Sequence, residues 1–167
     1  MRVSGLHIEG FGHFQGFDLR DLSGGLTVLH GPNEAGKSTL LQFLLHVLFG
    51  PEGGRRMRPR ALAGGRLGGR LEIVSGLDAF VVERLDGAPV VVRERGRSLE
   101  GEDVLRARLQ GADRSLFRAV FGFSLADLAG LEGLGDAAVR DRLFSGALIG
   151  AGRSVTAARA GLASRRE

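Results

Sequence analysis

One short segment constrains the fold of this chain more than any other, and it reads Gly31-Pro32-Asn33-Glu34-Ala35-Gly36-Lys37-Ser38. It matches the pattern G-x-x-x-x-G-K-[ST]. The apolar run before it, Leu26–His30, is typical of a buried strand. The run after it, Lys37–Phe49, is apolar on nearly every face and ends at Gly50-Pro51, as a buried helix does. This order of strand, glycine loop and helix is the context in which the pattern forms a phosphate-binding loop.

Residue usage singles out the same segment. Of the 23 lysine and arginine residues, Lys37 is the single lysine, and Asn33 is the single asparagine of the chain. An arginine fork does not replace a compact ammonium at a site shaped around a point charge. The retention of one lysine at this position therefore favours a specific role for Lys37.

The chemistry expected of the loop is the binding of a nucleoside triphosphate with Mg²⁺. Glycines 31 and 36 permit backbone conformations that turn successive amides toward phosphate oxygens, and the following helix adds its positive N-terminal end. Lys37 is expected to bridge the β- and γ-phosphates as the one catalytic residue, Ser38 to ligate the metal, and Thr39 to contact the α-phosphate. The predicted nucleotide-binding residues are Gly31, Pro32, Asn33, Glu34, Ala35, Gly36, Lys37, Ser38 and Thr39.

The rest of the chain predicts an α/β fold with a mixed sheet, one central helix, an antiparallel β-region and a C-terminal helical arm. The predicted strands are Val3–Glu9, Gln15–Leu19, Leu26–His30, Leu71–Val74, Ala79–Leu85 and Pro89–Arg95. The predicted helices are Lys37–Phe49, Glu102–Gln110, Asp113–Val120, Ser124–Ala129 and Asp136–Phe144. Residues 1–150 are assigned to one nucleotide-binding lobe, with a glycine- and arginine-rich loop at 51–70 and the helical arm at 102–150. Residues 151–167 are predicted to begin a longer coiled-coil helix.

Composition narrows the class of protein. The 17.7 kDa chain has no cysteine and no apolar run approaching the ~18 residues of a membrane span, which predicts one unit in the cytoplasm without a membrane partner. A net charge of +4 permits but does not establish contact with nucleic acid. Two interpretations stay open for the loop arginines, phosphate or DNA contacts and solvated loop charges. These arginines are residues 55, 56, 58, 60, 66 and 70.

Some motifs of nucleotide hydrolases are missing. Neither Leu71–Val74 nor Phe80–Glu83 has the apolar run and paired acids of a Walker-B strand, so no base for water activation is evident. Leu22–Gly25 is similar to the start of an LSGGQ signature, but it precedes the phosphate loop and is interpreted as a turn. A GTPase is excluded because its guanine-reading motif needs a second asparagine and a second lysine.

The stretch Leu26–Thr39 (LTVLHGPNEAGKST), preceded by an N-terminal hairpin, resembles the ATPase heads of the SMC and SbcC type, and Asp113–Leu128 is similar to the YhaN-like AAA branch. The resemblance implies an ABC/SMC-head-like N-terminal lobe that binds ATP and Mg²⁺. Its implied partners are a C-terminal lobe of the same head, a second head, DNA and a nuclease subunit. Relatives often carry a metal-contacting glutamine near Phe123–Leu128, which is absent here; Ser124 or Asp127 is a substitute only if this pair is not a capping box.

Three functions follow as alternatives. The first is an ATP-binding half of a head that acts in DNA repair or chromosome maintenance and hydrolyses ATP only with its C-terminal lobe. The second is a self-contained small kinase with a phosphate loop, for which the length of 167 residues is suitable. The third is a non-catalytic interaction module. The sequence leaves open whether the chain alone is an enzyme.

Overall fold

The computed structural model of the chain describes residues 1–52 and 59–120. The first two strands, β1 (Arg2–Phe11) and β2 (Phe14–Leu19), form a hairpin in which Leu6 pairs with Leu19 and Phe11 with Phe14. Gly12, with φ 58°, lies at the tight turn between them. Such a left-handed conformation is accessible to glycine without steric cost. The N-terminal hairpin expected from the sequence is therefore present.

Six strands form the sheet of the described residues, in the order β2-β1-β3-β4-β5-β6. The remaining four strands are β3 (Gly68–Ser75), β4 (Asp78–Leu85), β5 (Val91–Glu94) and β6 (Arg97–Glu100). All neighbouring strands pair antiparallel, and parallel pairing among the described residues is limited to an isolated bridge between Gly12 and Ala61. Instead of the predicted mixed sheet with a separate β-region, these residues form one antiparallel sheet.

The longest helix within residues 1–52 and 59–120, α1 (Lys37–Phe49), packs against β1, β3 and β4. Its bounds are those predicted from the sequence. The sheet buries alternate residues on the face that forms the core, among them Leu6, Ile8, Leu71, Ile73, Phe80, Val82 and Val92. From α1, Phe43, Leu45 and Val47 are fully buried, and the Phe43 ring meets Phe11 edge to face at 5.6 Å. Burial of these apolar side chains is the main force holding α1 on the sheet.

The predicted strand Leu26–His30 is wrong for the chain as described. Residues 26–30 have no regular secondary structure, and Leu26 and Val28 are 90% and 74% exposed. A buried strand needs neighbours that satisfy its backbone groups and cover its side chains. No described strand lies beside this segment in the sheet order, so its apolar composition alone does not make it a strand.

The predicted loop at 51–70 is shorter than expected, because β3 begins at Gly68. A β-carbon at Gly68 would lie 2.0 Å from the Arg84 carbonyl oxygen, and one at Gly69 would lie 2.1 Å from that of His7. These glycines therefore permit close approach of neighbouring strands, whereas the sequence analysis interpreted them as loop residues. Arg55, Arg56 and Arg58 lie outside the described residues.

The predicted strand Pro89–Arg95 is present as the shorter β5, and the chain then turns into β6, a strand that the sequence analysis did not predict. Arg95 and Gly96 form the two-residue turn, with φ 49° and 76°. Positive φ at both central residues is the geometry of a type I′ turn, whose backbone twist matches that of the flanking strands. The glycine following a charged residue between two short β-type runs was the available indication of this turn.

Two short helices follow the sheet, α2 (Glu102–Arg108) and α3 (Arg114–Val120), close to their predicted positions. The chain divides into two units, Met1–Leu105 and Arg106–Glu167. Within the described ranges, no helix is both long enough and apolar enough to span a membrane. The predicted boundary at residues 150 and 151, the helices Ser124–Ala129 and Asp136–Phe144, and the Ser124–Asp127 pair lie outside the described residues.

Candidate phosphate-binding site

The loop from Gly31 to Gly36 curls back over the N-terminal end of α1. Two left-handed residues shape it, Glu34 with φ 67° and Gly36 with φ 93°, and the Ala35 amide donates to the Pro32 carbonyl at 3.3 Å. At Gly31, an added β-carbon would lie 3.1 Å from the Ala35 β-carbon, so a larger residue there would crowd the closed loop. The left-handed conformation suits Gly36 and costs about 1 kcal/mol at Glu34.

Lys37 returns its side chain to the same loop. Its Nζ donates to the carbonyl oxygens of Gly31 and Pro32, both at 2.7 Å. The ammonium thus lies at the mouth of the loop, and Lys37 itself is the first residue of α1, the end at which the helix is positive. The first turn of α1 contains no acidic residue that would oppose an anion. Loop, ammonium and helix end thus bring positive charge together at one place.

The predicted site residues are consecutive in the chain, and they lie in the loop before α1 and in the first turn of that helix. Pro32, Asn33, Glu34, Ala35, Lys37 and Ser38 are exposed, Gly31 and Thr39 are half-buried, and Gly36 is buried. Ser38 and Thr39 lie in the first turn of α1, directly after Lys37, so all three side chains belong to the N-terminal end of the helix. This placement agrees with the roles predicted for them, which remain predictions.

The turn between β1 and β2 packs on the loop, a contact that the sequence analysis did not identify. A β-carbon added to Gly36 would lie 2.4 Å from His13 Cε1 and 2.7 Å from Phe14 Cζ. The neighbouring Gly12 faces the Thr39 methyl group. Gly36 therefore has to be glycine for two reasons, its positive φ and the rings against its α-carbon. No sequence signal links this turn to the loop, because the two segments are distant in the chain.

The protein groups at the loop could bind Mg²⁺ only together with the phosphates of a nucleotide. Within residues 1–52 and 59–120, no group of three or more histidines and acids is arranged to hold a metal ion. Mg²⁺ is commonly bound by one or two protein ligands together with waters and substrate phosphates. A single hydroxyl such as that of Ser38 suits that mode, in which the phosphates supply the remaining charge.

The perturbed carboxyl groups belong to ion pairs of the sheet. A hydrogen bond from the His7 ring, with Nδ1 3.0 Å from Asp18 Oδ1, lowers the pKa of Asp18. A hydrogen bond from the Arg93 guanidinium lowers the pKa of Glu83, and the charge of Arg93 acts in the same direction. Such cross-strand pairs stabilise a sheet modestly, and neither is part of the phosphate loop.

The described loop arginines have structural contacts. Arg66 Nε donates to the Asp86 carbonyl at 2.9 Å, and the charge of Arg70 contributes to the lowered pKa of Glu83. The Arg60 carbonyl accepts a hydrogen bond from the Gly12 amide at 2.7 Å. The hydrogen bond of Arg66 favours a structural role for that side chain over the binding of an external phosphate.

The chain is similar to known proteins over most of its length. The model of a family described as AAA domain matches residues 1–165. The uncharacterized protein YhaN of Bacillus subtilis (strain 168) is 31% identical over 155 residues, which are 90% of this chain and 16% of YhaN. This chain thus matches a minor part of that relative's length.

A solved structure shows the same fold. It belongs to work on the ATP-driven dimerization and DNA-stimulated activation of SMC ATPases, and it matches 87% of this chain and 99% of its own with a TM-score of 0.50 and 14% identity. The fold is thus that of a P-loop NTPase N-terminal lobe of the SMC-head type, as the sequence predicted. Because the family model spans nearly the whole sequence, the chain belongs to the AAA domain family.

Proposed function

We propose that this chain is the ATP-binding N-terminal lobe of an SMC/SbcC-like ATPase head. The observation that carries the proposal is the position of the Lys37 ammonium, 2.7 Å from the carbonyls of Gly31 and Pro32 at the mouth of the loop. Triphosphate oxygens are stronger acceptors for an ammonium than neutral carbonyls are. Lys37 exchanges these two intraloop bonds for bonds to the β- and γ-phosphates when nucleotide binds.

The remaining contacts divide between backbone and side chains. The amides between Gly31 and Thr39 supply neutral donors, and the end of α1 adds its partial positive charge. The Ser38 hydroxyl holds Mg²⁺ together with phosphate oxygens, and Thr39 contacts the α-phosphate. The protein thereby orients the triphosphate and neutralises charge that develops as the terminal phosphoryl group leaves.

Hydrolysis requires a C-terminal lobe, with which this chain completes a head. Two observations support this part of the proposal. The segment 26–30 presents apolar side chains to solvent, Leu26 at 90% and Val28 at 74% exposure, as a strand does that lacks its neighbours. The match also covers only 16% of YhaN, so most of that relative, including room for a second lobe, lies outside the matched part.

Two completed heads then bind two ATP molecules between them. The solved SMC ATPases undergo ATP-driven dimerization and DNA-stimulated activation, which supports a homodimer of heads acting with DNA. The cytoplasm is the location proposed for it. Repair or chromosome maintenance, with a nuclease subunit as partner, is the cellular role proposed for the complete protein. The net charge of +4 is compatible with a DNA partner.

Nucleotide binding is tested with the variants Lys37→Ala and Lys37→Arg by isothermal titration calorimetry with Mg·ATP. Loss of hydrogen bonds to a charged group costs about 1.5–3 kcal/mol, which is roughly a 10- to 100-fold loss of affinity. Lys37→Arg is expected to lose affinity as well, because the planar fork does not fit a site for a compact ammonium. Unfolding midpoints equal to that of the parent would show that the fold persists.

Unchanged affinity in both variants would reject the proposal. A separate assay distinguishes the lobe from a self-contained kinase, since the lobe binds ATP with little turnover on its own. Rapid phosphate release or phosphoryl transfer by the isolated chain, lost in Lys37→Ala, would favour the enzyme that acts alone. Turnover that appears only on addition of a C-terminal lobe would support the two-lobed head.

A further inference from the structure

Three aromatic rings stack in a row that ends at the phosphate loop. Phe17 and Phe14 lie 4.9 Å apart between ring centroids, and Phe14 and His13 lie 4.3 Å apart. His13 is the last ring, and it is exposed. One face of its imidazole is therefore fixed against Phe14, which restricts the rotation of a residue that would otherwise be free in a turn.

The nitrogen-bearing edge of that imidazole is directed at Gly36. Nε2 lies 2.5 Å and Cε1 2.4 Å from the position that a β-carbon of Gly36 would occupy. Gly36 immediately precedes α1, so His13 Nε2 lies next to the residue at which the loop passes into the helix. No side chain in the described ranges forms a hydrogen bond or an ion pair with the His13 ring, so a nitrogen there is available for a ligand.

We propose that His13 donates a hydrogen bond from its imidazole to a phosphate oxygen of the bound nucleotide. It is then a second side-chain donor to the phosphates in addition to Lys37, and it is supplied by the β1–β2 turn. The inference rests on the proposed function and adds a residue from outside the loop motif. A phosphate is favoured over the base because one ring face is occupied by Phe14 and the nitrogen edge faces the loop. An imidazole donates in its neutral form and more strongly as a cation.

The test compares His13→Phe and His13→Gln with the parent chain. Phenylalanine keeps a ring against Phe14 and removes both nitrogens, whereas glutamine keeps a donor without the ring. His7→Gln is the matched control, because His7 is bonded to Asp18 on the sheet. Affinity is measured by calorimetry for Mg·ATP and for inorganic triphosphate, which has no base or sugar.

We expect His13→Phe to weaken binding of both ligands by the same factor, about tenfold. His13→Gln should lose less, and His7→Gln should match the parent. Equal affinities of His13→Phe and parent would overturn the inference, and so would a loss seen with ATP but absent with triphosphate, which indicates base stacking. A parent chain that binds neither ligand would reject the proposed function itself, which makes the two failures distinguishable.

A measurement on the parent covers the case in which His13→Phe does not fold. The Hε1 resonance of His13, assigned by its absence in the spectrum of His13→Gln, is followed while triphosphate is added. We expect it to shift in proportion to saturation, while the Hε1 resonance of His7 stays in place. A His13 resonance that does not move at saturation would contradict the contact.

Discussion

Gly12, in the turn between β1 and β2, packs so closely on Thr39 that a β-carbon at position 12 would lie 2.6 Å from Thr39 Cγ2. The turn is held on its other side as well. The Gly12 amide donates to the Arg60 carbonyl, and the Gly12 carbonyl accepts from the Leu62 amide, both at 2.7 Å. The turn therefore has little freedom to move, and its position fixes the first turn of α1.

The substitution Gly12→Ala should lower both stability and ATP affinity. The residue has φ 58°, and alanine in that conformation costs about 1–2 kcal/mol before any clash is counted. The added methyl group also has to displace Thr39 or the turn. Overpacking costs about 1–3 kcal/mol more, and displacing Thr39 shifts the predicted phosphate contact. Urea unfolding and calorimetry with Mg·ATP measure the two effects.

Gly16→Ala is the matched control for this effect. Gly16 has φ 59°, nearly the same as Gly12, but a β-carbon there meets nothing within 4 Å. The extra loss in Gly12→Ala over Gly16→Ala therefore isolates the contact with Thr39. Adding Thr39→Ser to Gly12→Ala removes the opposing methyl group and should restore most of that difference. Equal losses in the two glycine variants would show that the contact has no energetic weight.

Arg84 joins the sheet to the end of α1 and to the first residue of α2, and its replacement should lower the stability of the fold. The side chain is buried, Nε donates to the Val47 carbonyl at 3.0 Å near the end of α1, and the guanidinium forms a two-pronged ion pair with Glu102. We expect Arg84→Met to lower the free energy of unfolding by about 2–3 kcal/mol, because the variant leaves a carbonyl and a carboxylate without this donor. Urea denaturation measures the loss.

Arg93→Met is the comparison for Arg84→Met. Arg93 also forms a two-pronged pair, with Glu83, but its side chain is 46% exposed. Solvent screening limits such a pair to below about 1 kcal/mol. A loss in Arg84→Met as small as that in Arg93→Met would show that burial of the guanidinium adds nothing to the pair.

The Glu83–Arg93 pair should contribute to the pH dependence of stability in the acid range. The hydrogen bond from Arg93 lowers the pKa of Glu83 in the folded chain below its ordinary value. The pair therefore stabilises the fold fully above the pKa of the unfolded chain, and the contribution is lost as the pH falls through the folded pKa. Arg93→Met should be less stable than the parent at neutral pH and equal to it below that range. Urea unfolding across the acid range tests this, and a difference that persists at the lowest pH would contradict it.

The bounds of the helix at the site were predictable because residues adjacent in the chain determine both of its ends. Lys37–Phe49 lies between Gly36 and Gly50, both with positive φ, and the Gly50 amide closes the helix on the His46 carbonyl at 2.9 Å. The loop motif likewise depends on residues adjacent in the chain. Features of this kind require no knowledge of what lies on the other side of the sheet.

Contacts between distant segments were beyond the reach of sequence patterns. His13 and Gly36 meet only because the β1–β2 turn folds over the loop, and nothing at either position specifies the other. Gly68 was assigned to a loop because a glycine that admits a neighbouring strand looks the same in sequence as one that confers flexibility. For Leu26–His30, the composition predicts a buried strand. A strand forms only where another strand pairs with it, and the described residues provide no such strand beside this segment.

The exposed apolar segment provides a test of the two-lobed head. We expect the double variant Leu26→Ser/Val28→Ser to leave the free energy of unfolding of the isolated chain within about 0.5 kcal/mol, because both side chains are largely exposed. The same variant should weaken binding of a separately expressed C-terminal lobe, since serine reduces the apolar area that the interface buries. Calorimetry between the two lobes measures the affinity.

Leu77→Ser is the control for that experiment, because Leu77 is also fully exposed but lies in the turn between β3 and β4. It removes a similar apolar area from a different surface and should leave the affinity unchanged. If Leu77→Ser weakened binding as much as Leu26→Ser/Val28→Ser, the loss would reflect general surface hydrophobicity. If neither variant affected binding, segment 26–30 would not be the surface that meets the C-terminal lobe. Weakening confined to Leu26→Ser/Val28→Ser would place the interface at the strand-like residues that lead into the phosphate loop, so that lobe docking and nucleotide binding share one element of the chain.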